Sequence, residues 1–420
     1  MKSLLRKIVL KKLEILARIK LRRMKAKVIG VTGSVGKTSC KDAVFEVLSK
    51  HHRVLKNKKS FNSEFGLPLT ILQQNSGFNS PVEWMKILLR GFWRAFFVND
   101  KFDYLVLEMG VDKAGDMDYL TRIAPPNMAC ITAIKPAHMD DSQFASVEEI
   151  FKEKSKIFNK ADVKIINIDD KYVSQVKGDY TYGFKEGADF KAFSFVQGEK
   201  GVDFEVEYKG NDYQFFIPVF GGYQVTTLFP AIIFGFLTDV PAGDIQQALA
   251  EFRLPPGRMS LIEGVDNLLI LDSSYNASPE AVKESLKVLD YFGKKKDKRR
   301  VFVFGNMNEL GSHSKDLHEE VGAKVPEYAD ILFTVGGDVQ YAASAANKHG
   351  MDSKNIYSFE NVNEAVKKYK EIMQEGDIVL AKGSQNKVRL EIFVKKIMKH
   401  PKKAKELLVR QEEKWQNIAP

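Results

Sequence analysis

The chain has 420 residues, 44% of them hydrophobic and 28% charged, a composition that excludes wholesale disorder and suits two or three domains. The net charge of +10 is concentrated in residues 1–27, which hold eleven lysines and arginines and one acid, Glu14. The other basic and acidic residues, 53 of each, cancel, so we expect no nucleic-acid-binding surface. Two cysteines are too few for a disulfide framework, and no apolar run is long enough to span a bilayer. We expect a cytoplasmic protein.

Residues 1–27 are predicted to form a basic amphipathic helix. Apolar side chains recur at helical spacing on one face: Leu5, Ile8, Val9, Leu13, Leu16 and Ile19. Two interpretations stay open. The helix is docked on its own domain with a solvated basic face, or it makes peripheral contact with an anionic membrane.

From residue 27 onward, strands and helices alternate, which is typical of α/β domains. We expect residues 28–255 to form a P-loop domain with a mostly parallel sheet, and residues 256–420 a second, Rossmann-like α/β domain. The first domain has predicted strands at 27–31, 104–109 and 128–133, helices at 39–49 and 82–98, and a β-rich segment at 190–220. After a Pro/Gly break at 254–257, strands are predicted at 268–272, 301–304, 331–335 and 377–381, and helices at 279–291, 317–328, 362–373 and 388–398. The chain from Lys399 is predicted to be a mixed-charge helix.

The predicted helix at 82–98 is unusually aromatic. It carries Trp84, Phe92, Trp93, Phe96 and Phe97. Because large aromatic side chains are usually buried, we expect this stripe to be core rather than a membrane anchor.

A glycine-rich segment from Gly30 to Ser39 lies between the first predicted strand and the following helix. Its glycines let backbone N–H groups converge on phosphate oxygens, and the helix N-terminus adds positive potential. Lys37 is placed to reach the β- and γ-phosphates, and the Thr38 hydroxyl to bind Mg²⁺. The sequence therefore predicts a nucleotide-phosphate site.

Three further candidates follow in the chain. Glu108 ends a predicted parallel strand, where α/β sheets bind ligands, and His138 comes shortly after the next strand. Lys154 lies on a predicted helix. Each of these is a weak signal alone, since a lone lysine on a helix is normally a solvated charge.

Together with the P-loop, these residues resemble the Mur ligase family of ATP-dependent amide-bond ligases, and most of all its MurF type. The ordered matches are Phe61-Asn-Ser-Glu-Phe-Gly66-Leu-Pro68, Asn167-Ile-Asp-Asp170, Pro256-Gly257-Arg258, Leu271-Asp-Ser-Ser-Tyr-Asn-Ala-Ser-Pro279, Gly305-Asn-Met-Asn-Glu-Leu-Gly311 and Lys382-Gly-Ser-Gln385. They cover most of the chain, from about Val28 to Met398.

The resemblance implies a role for each candidate. ATP would be held by Gly33, Ser34, Val35, Gly36, Lys37, Thr38 and Ser39, with Arg258 and Asp272 closing onto the nucleotide. Two Mg²⁺ ions would be bound by Thr38, Glu108, His138 and a carbamylated Lys154. Lys37, His138, Lys154 and Asn62 would be the catalytic residues.

The implied activity joins a carboxylate to an amine through an acyl phosphate. The implied substrates are a cell-wall peptide precursor and D-alanyl-D-alanine or another amino acid or peptide. Departures from the family pattern bear on the acceptor: only some 27 residues precede the P-loop strand, where MurF proteins have a UDP-binding domain. Tyr223 and Thr227 replace a family His and Asn, and Ser273 replaces the second of two aspartates. A non-UDP or lipid-linked acceptor, or a non-catalytic nucleotide-binding scaffold, are the alternatives.

Overall fold

The computed structural model describes residues 3–58, 61–78, 80–136, 143–308, 310–384, 388–412 and 415, with side chains from Leu5 onward. The chain divides into two compact units. The first contains the residues up to 218 together with 224–252, and the second contains residues 219–223 and those from 253 onward.

The first unit is an α/β domain. Its helices are α1 (Ser3–Met24), α2 (Lys37–Leu48), α3 (Gly66–Ile71), α4 (Pro81–Phe96), α5 (Asp116–Ile123), α6 (Val147–Ser155), α7 (Gly222–Leu237) and α8 (Ala242–Glu251). Its strands are β1 (Lys27–Thr32), β2 (Val54–Lys56), β3 (Tyr104–Glu108), β4 (Met128–Ile131), β5 (Val163–Asn167), β6 (Tyr180–Gly183), β7 (Phe190–Gln197), β8 (Val202–Tyr208) and β9 (Asn211–Ile217).

These strands form one sheet in the order β2-β3-β1-β4-β5-β6-β7-β8-β9. The strands from β2 to β7 pair in parallel, and β7, β8 and β9, within the segment 190–220 that was predicted to be β-rich, pair antiparallel. Because β1, β3 and β4 are parallel neighbours, their carboxyl ends meet at one edge of the sheet. The P-loop and the loop after β4 start at that edge, and Glu108 lies there at the end of β3.

Helix α1 belongs to the core of this unit. Val9, Leu13 and Leu16 of its predicted stripe are buried in a hydrophobic cluster with side chains of α3, α4 and α5, and only Leu5 and Ile8 of the stripe stay exposed. Its acid, Glu14, is buried and accepts from Arg122 of α5. The interpretation of a helix docked on its own domain is therefore confirmed, and most of this stripe is not available to a membrane.

Helix α4 contradicts the expectation of a buried aromatic stripe. Trp84 is buried, but Phe92, Trp93, Phe96 and Phe97 are exposed. The side of α4 that packs on the core carries Ile87, Gly91 and Ala95 as well as Trp84. Small residues allow close packing of neighbouring helices, and here Gly91 lies against the Leu16 side chain. The larger rings therefore project to the outside.

The second unit is also α/β. Its strands are β10 (Ser260–Glu263), β11 (Leu269–Ser273), β12 (Arg300–Gly305), β13 (Ile331–Val335), β14 (Ile356–Phe359) and β15 (Ile378–Lys382). Its helices are α9 (Pro279–Lys296), α10 (Ser314–Gly322), α11 (Val325–Tyr328), α12 (Gln340–Lys348), α13 (Val362–Ile372), α14 (Leu390–Ile397) and α15 (Ala404–Leu407). The sheet order is β10-β11-β15-β12-β13-β14, parallel except for β10.

Two predictions in this unit are wrong. The helix expected over 317–328 is broken into α10 and α11, with a proline in the first turn of α11. Over residues 399–412, the helix expected from Lys399 is reduced to the four-residue α15 after a short 3-10 turn, and most of the chain beyond residue 412 lies outside the described residues. After α15, the buried guanidinium of Arg410 pairs with Glu391 at 2.9 Å and donates to the Ser274 carbonyl oxygen at 2.6 Å. At least one charge of this segment therefore makes internal contacts.

Candidate functional site

The P-loop connects β1 to α2, and at two of its glycines a side chain would be strained or would clash with neighbouring atoms. Gly33 (φ 147°) and Gly36 (φ 81°) both have positive φ angles, which disfavour a side chain. A Cβ atom at Gly33 would lie 2.1 Å from the Thr132 hydroxyl oxygen, and one at Gly36 would lie 2.5 Å from a Thr227 methyl carbon. The tight turn therefore requires glycine at both positions. Thr227, noted above as replacing a family Asn, packs against this turn.

Lys37, the first residue of α2, folds back over the loop. Its Nζ atom donates to the carbonyl oxygens of Gly33 at 2.9 Å and Ser34 at 3.2 Å. The ammonium therefore lies at the N-terminus of α2, where the helix dipole favours an anion. Ser34, Val35 and Gly36 form the rest of this turn, Thr38 follows Lys37 in α2, and Ser39 is buried inside the same helix.

Thr38, Glu108 and Asn62 form the polar cluster beside the loop. The Thr38 hydroxyl donates to Glu108 Oε2 at 2.8 Å, and the Asn62 amide donates to Glu108 Oε1 at 2.8 Å. Glu108, at the end of β3, is buried. The structure thus brings together three residues that lie far apart in the sequence, as the resemblance implied.

A residue that the sequence analysis missed, Asn57, fixes the main chain of Glu108. Its Nδ2 atom donates to the Glu108 carbonyl oxygen at 3.0 Å, and its Oδ1 atom accepts from the Glu108 amide at 2.9 Å. The same Nδ2 atom donates to the Phe61 carbonyl oxygen at 2.9 Å, four residues along the chain. Asn57 therefore ties the Asn62 segment to β3. The only signal in the sequence was its position just before the matched Phe61–Pro68 segment.

The loop after β4 is held from two sides. The Lys135 amide donates to the Ser34 hydroxyl at 3.0 Å, and the Ile134 amide donates to Asp170 Oδ2 at 3.0 Å. Asp170 ends the matched Asn167–Asp170 segment, so that motif supports this loop. His138 follows in the chain but lies outside the described residues, and its role as a ligand stays a prediction.

Lys154 is fully buried on α6, which is unusual for a lysine. Its Nζ atom has no hydrogen-bond partner among the residues that the structure describes. Burial, and then the nearby Lys37 ammonium, hold the pKa of Lys154 well below its ordinary value. Desolvation outweighs the opposite effect of Asp112, Glu153 and Asp116. The expectation of a solvated charge does not apply here, since Lys154 is fully buried and its pKa is lowered.

Arg258 and Asp272 lie in the second unit. The Arg258 guanidinium stacks on the Tyr275 ring, 4.3 Å from its centroid. Asp272 is buried: Oδ1 accepts from the Ser274 amide at 3.1 Å, and Oδ2 has no hydrogen-bond partner among the described residues. Burial raises the pKa of Asp272 to about 6. Asp272 is thus enclosed within its own unit, and its role toward the nucleotide stays a prediction.

The oxygen atoms beside the P-loop fit Mg²⁺. Thr38 and Glu108 offer a hydroxyl and a carboxylate 2.8 Å apart, which are hard oxygen ligands. No group of three His, Cys, Asp or Glu side chains that could hold a metal occurs within the described ranges. Mg²⁺ commonly binds one or two carboxylates together with substrate phosphates and water, so the Thr38 hydroxyl and the Glu108 carboxylate fit its usual coordination.

Comparison with known proteins identifies the family. Residues 31–235 match the Mur ligase middle domain, and residues 257–385 match the Mur ligase glutamate ligase domain. The chain is 32% identical over 401 residues to the UDP-N-acetylmuramoyl-tripeptide–D-alanyl-D-alanine ligase of Bacillus subtilis, covering 93% of this chain and 79% of the relative. Identity to the Escherichia coli enzyme of the same name is 24% over 380 residues, covering 87% of this chain and 76% of that one.

Solved structures agree in fold. MurF from Thermotoga maritima in complex with ADP superposes with a TM-score of 0.74 at 27% identity, covering 94% of this chain and 84% of that one. MurF from Acinetobacter baumannii gives a TM-score of 0.75 at 22% identity, with coverages of 91% and 79%. The P-loop, the strand-end carboxylate and the two α/β units thus occur together in a chain that belongs to the Mur ligase family.

Proposed function

We propose that the protein is an ATP-dependent ligase that joins a carboxylate to an amine through an acyl phosphate. The carboxylate oxygen attacks the γ-phosphorus of ATP, and ADP leaves. The amine nitrogen then attacks the acyl carbon, and inorganic phosphate leaves with the two electrons of the carbon–oxygen bond. The observation that carries the proposal is the polar cluster of Thr38, Asn62 and Glu108 beside the P-loop.

The described residues have distinct parts in this chemistry. The P-loop amides and the N-terminus of α2 would bind the phosphates, and Lys37 would neutralise charge on the transferred phosphoryl group. Thr38 and Glu108 would hold one Mg²⁺, which supplies further charge neutralisation when bound. Asn62 and Asn57 would keep the Glu108 carboxylate in place. His138 would bind a second Mg²⁺.

We infer that Lys154 is carbamylated in the active enzyme. A neutral amine adds to CO₂ and loses a proton, which gives a carbamate with two oxygen atoms. The Lys154 amine suits this reaction because it is buried and has no hydrogen-bond partner within the described residues. Burial also lowers its pKa, which favours the neutral form that reacts with CO₂. A carbamate would suit a divalent ion, whereas an ammonium would repel it.

We propose D-alanyl-D-alanine as the amine substrate and a UDP-N-acetylmuramoyl-tripeptide as the acceptor. Support comes from the relatives that carry this activity in their names, foremost the Bacillus subtilis enzyme. A lipid-linked or other non-UDP acceptor is the second candidate. A further part of the proposal is a cytoplasmic location with peripheral contact to an anionic membrane, supported by the positive charge of residues 1–27.

The test is phosphate release by the purified full chain with ATP and Mg²⁺, with and without the tripeptide acceptor and D-alanyl-D-alanine. We expect release to need both, and mass spectrometry to detect the ligated product. Lys37→Ala is the control for contaminating ATPases. ATP binding without amine-dependent phosphate release for any acceptor would favour the scaffold alternative.

A further inference from the structure

Helix α4 presents an exposed apolar face that the ligase chemistry does not use. Seven side chains on α4 and its C-terminal end are between 38% and 65% exposed: Val82, Met85, Leu89, Phe92, Trp93, Phe96 and Phe97. We call these seven residues the aromatic face. Phe78, just before the helix, is 79% exposed. Single exposed apolar residues are normal, but a continuous row of this kind marks an interaction site.

The helix that carries this face is firmly held. Its N-terminus is capped by Ser80, whose hydroxyl accepts from the Glu83 amide at 3.3 Å. Its other end is tied to α1, because Arg23 donates to the Ala95 carbonyl oxygen at 3.0 Å. The exposed rings also pack on one another: the centroids of Trp93 and Phe97 are 4.6 Å apart, in a stacked arrangement. The aromatic face is therefore an ordered surface and not a frayed segment.

The charge around this face is positive. Lys86 and Arg90 are exposed on α4, and α1, which packs beside it, exposes Lys12 and Arg22 as well as Ile8 and Ile15. The two helices contain one acid each. Glu14 of α1 is buried, and Glu83 of α4 pairs with Lys86 at 2.7 Å. The cations of α1 and α4 thus outnumber the acids of these two helices.

Lys86 lies at the margin of the aromatic face. It recurs with Glu83 and Arg90 three and four positions apart, so these residues form a charged stripe beside the apolar side chains. At a bilayer surface, aromatic rings occupy the headgroup region while long basic side chains reach outward to phosphates. An apolar face with cations along its edge matches this arrangement.

We propose that the aromatic face of α4, together with the flanking cations of α4 and α1, docks on a bilayer that contains anionic lipids. The rings of Trp93 and Phe97 enter the headgroup region, and Lys86 and Arg90 contact lipid phosphates. This inference specifies the surface for the peripheral location proposed above. It is independent of the ligase chemistry, because vesicle binding and phosphate release are separate measurements and either can fail alone.

The test is flotation of the full chain with vesicles of two parts phosphatidylcholine to one part phosphatidylglycerol, against vesicles of phosphatidylcholine alone. We expect binding to the anionic vesicles that weakens as salt is added. The double variant Trp93→Gln/Phe97→Gln should reduce binding about tenfold or more, since buried apolar area drives insertion. Its exposed positions should leave the melting temperature unchanged. Phe195→Gln, at another exposed ring of the same unit, is the matched control.

A charge variant gives a second test. Lys86→Gln/Arg90→Gln should weaken binding about tenfold or more, because each cation near an anionic surface contributes on the order of 1 kcal/mol. Lys402→Gln/Lys403→Gln removes the same charge from exposed positions of the second unit and should have little effect. Failure of the wild type to bind anionic vesicles at low salt would overturn the proposal. So would self-association, seen by ultracentrifugation, that the Trp93→Gln/Phe97→Gln variant abolishes without any vesicle binding by the wild type.

Discussion

The side chain of Asn57 forms two hydrogen bonds with the main chain of Glu108, as the main chain of a neighbouring strand would. Its Nδ2 atom donates to the Glu108 carbonyl oxygen at 3.0 Å, and its Oδ1 atom accepts from the Glu108 amide at 2.9 Å. Strand β2 ends one residue earlier, at Lys56, so Asn57 extends the pairing of β2 with β3 through its side chain. The consequence is that a candidate metal ligand is positioned by a residue that touches neither metal nor nucleotide.

We predict that Asn57→Ala lowers both stability and activity. Asn57 is 1% exposed, and its loss leaves buried amide and carbonyl groups unpaired, at a cost of about 1–3 kcal/mol. Thermal unfolding should show a reduced melting temperature, and phosphate release should fall at temperatures where the variant is folded. Asn75→Ala, at an exposed asparagine, is the control. An unchanged melting temperature would show that the hydrogen bonds between Asn57 and the Glu108 main chain do not stabilise the fold.

Lys37→Ala should abolish ATP turnover and leave the fold intact. The ammonium donates to the carbonyl oxygens of Gly33 and Ser34, and deleting a major charge contact to a transition state costs on the order of 10³-fold. Phosphate release measures the effect, with circular dichroism as the check of folding. Lys160→Ala, an exposed lysine of the same unit, should behave as wild type. Activity within about tenfold of wild type would contradict the P-loop assignment.

Glu108→Gln should raise the Mg²⁺ concentration needed for half-maximal activity by about tenfold or more, because an amide oxygen is a weaker ligand than a carboxylate for a hard cation. The variant keeps the shape of the side chain, so the melting temperature should change little. Thr38→Ser, which retains the hydroxyl that donates to Glu108, should have nearly normal Mg²⁺ dependence. Equal Mg²⁺ dependence in wild type and Glu108→Gln would remove Glu108 from the metal site.

Lys154→Ala should lose most ligase activity but keep ATP binding, measured with a fluorescent nucleotide. Millimolar short-chain carboxylic acids should restore part of the activity if a carbamate is the missing group. Lys152→Ala, an exposed lysine on the same helix, provides the matched control. A fully active Lys154→Ala enzyme would exclude the carbamate, whereas loss of ATP binding would indicate a structural role.

Asp272 should make stability depend on pH. Since its folded pKa is raised to about 6, the folded state holds a proton that the unfolded chain releases near pH 4. Its contribution to the free energy of unfolding is therefore fully present below about pH 4 and is lost as the pH rises to about 6, by about 3 kcal/mol in total. We expect the difference between wild type and Asp272→Asn to follow this curve in denaturant titrations.

Asp266→Asn is the control for that measurement, because Asp266 is exposed in the same unit. A stability difference between wild type and Asp272→Asn that stays constant from pH 4 to pH 7 would contradict the raised pKa of Asp272.

Local patterns predicted most of the sheet and the phosphate loop. Strand β13 was predicted at residues 331–335, where it occurs, because four apolar residues and the β-branched Thr334 form a short run that is buried on both faces. The P-loop was predictable because its glycines, Lys37 and Thr38 are adjacent in the chain. Strand β14 was missed, since its side chains are only half-buried at the edge of the sheet.

Features that depend on packing were not predictable in the same way. The helical period of α4 predicted the helix but not which part of its broad apolar side faces the core. The buried part contains Gly91, where an added Cβ would lie 3.3 Å from the Leu72 side chain, so a large ring does not fit at that position. Asn57 acts through the register of β2 with β3, and Arg410 acts through its fold-dependent pairing with Glu391. Neither pairing has a signature along the sequence.

The short segment of residues 219–223 belongs to the second unit although the chain on both sides of it belongs to the first. Phe220 of this segment is buried in the hydrophobic core of the second unit, with its ring 5.3 Å from that of Phe292. No single cut of the chain can therefore separate the two units intact. A fragment that begins at residue 253 would lack Phe220 and with it part of its hydrophobic core. A gene fusion made at that boundary would therefore transfer an incomplete domain.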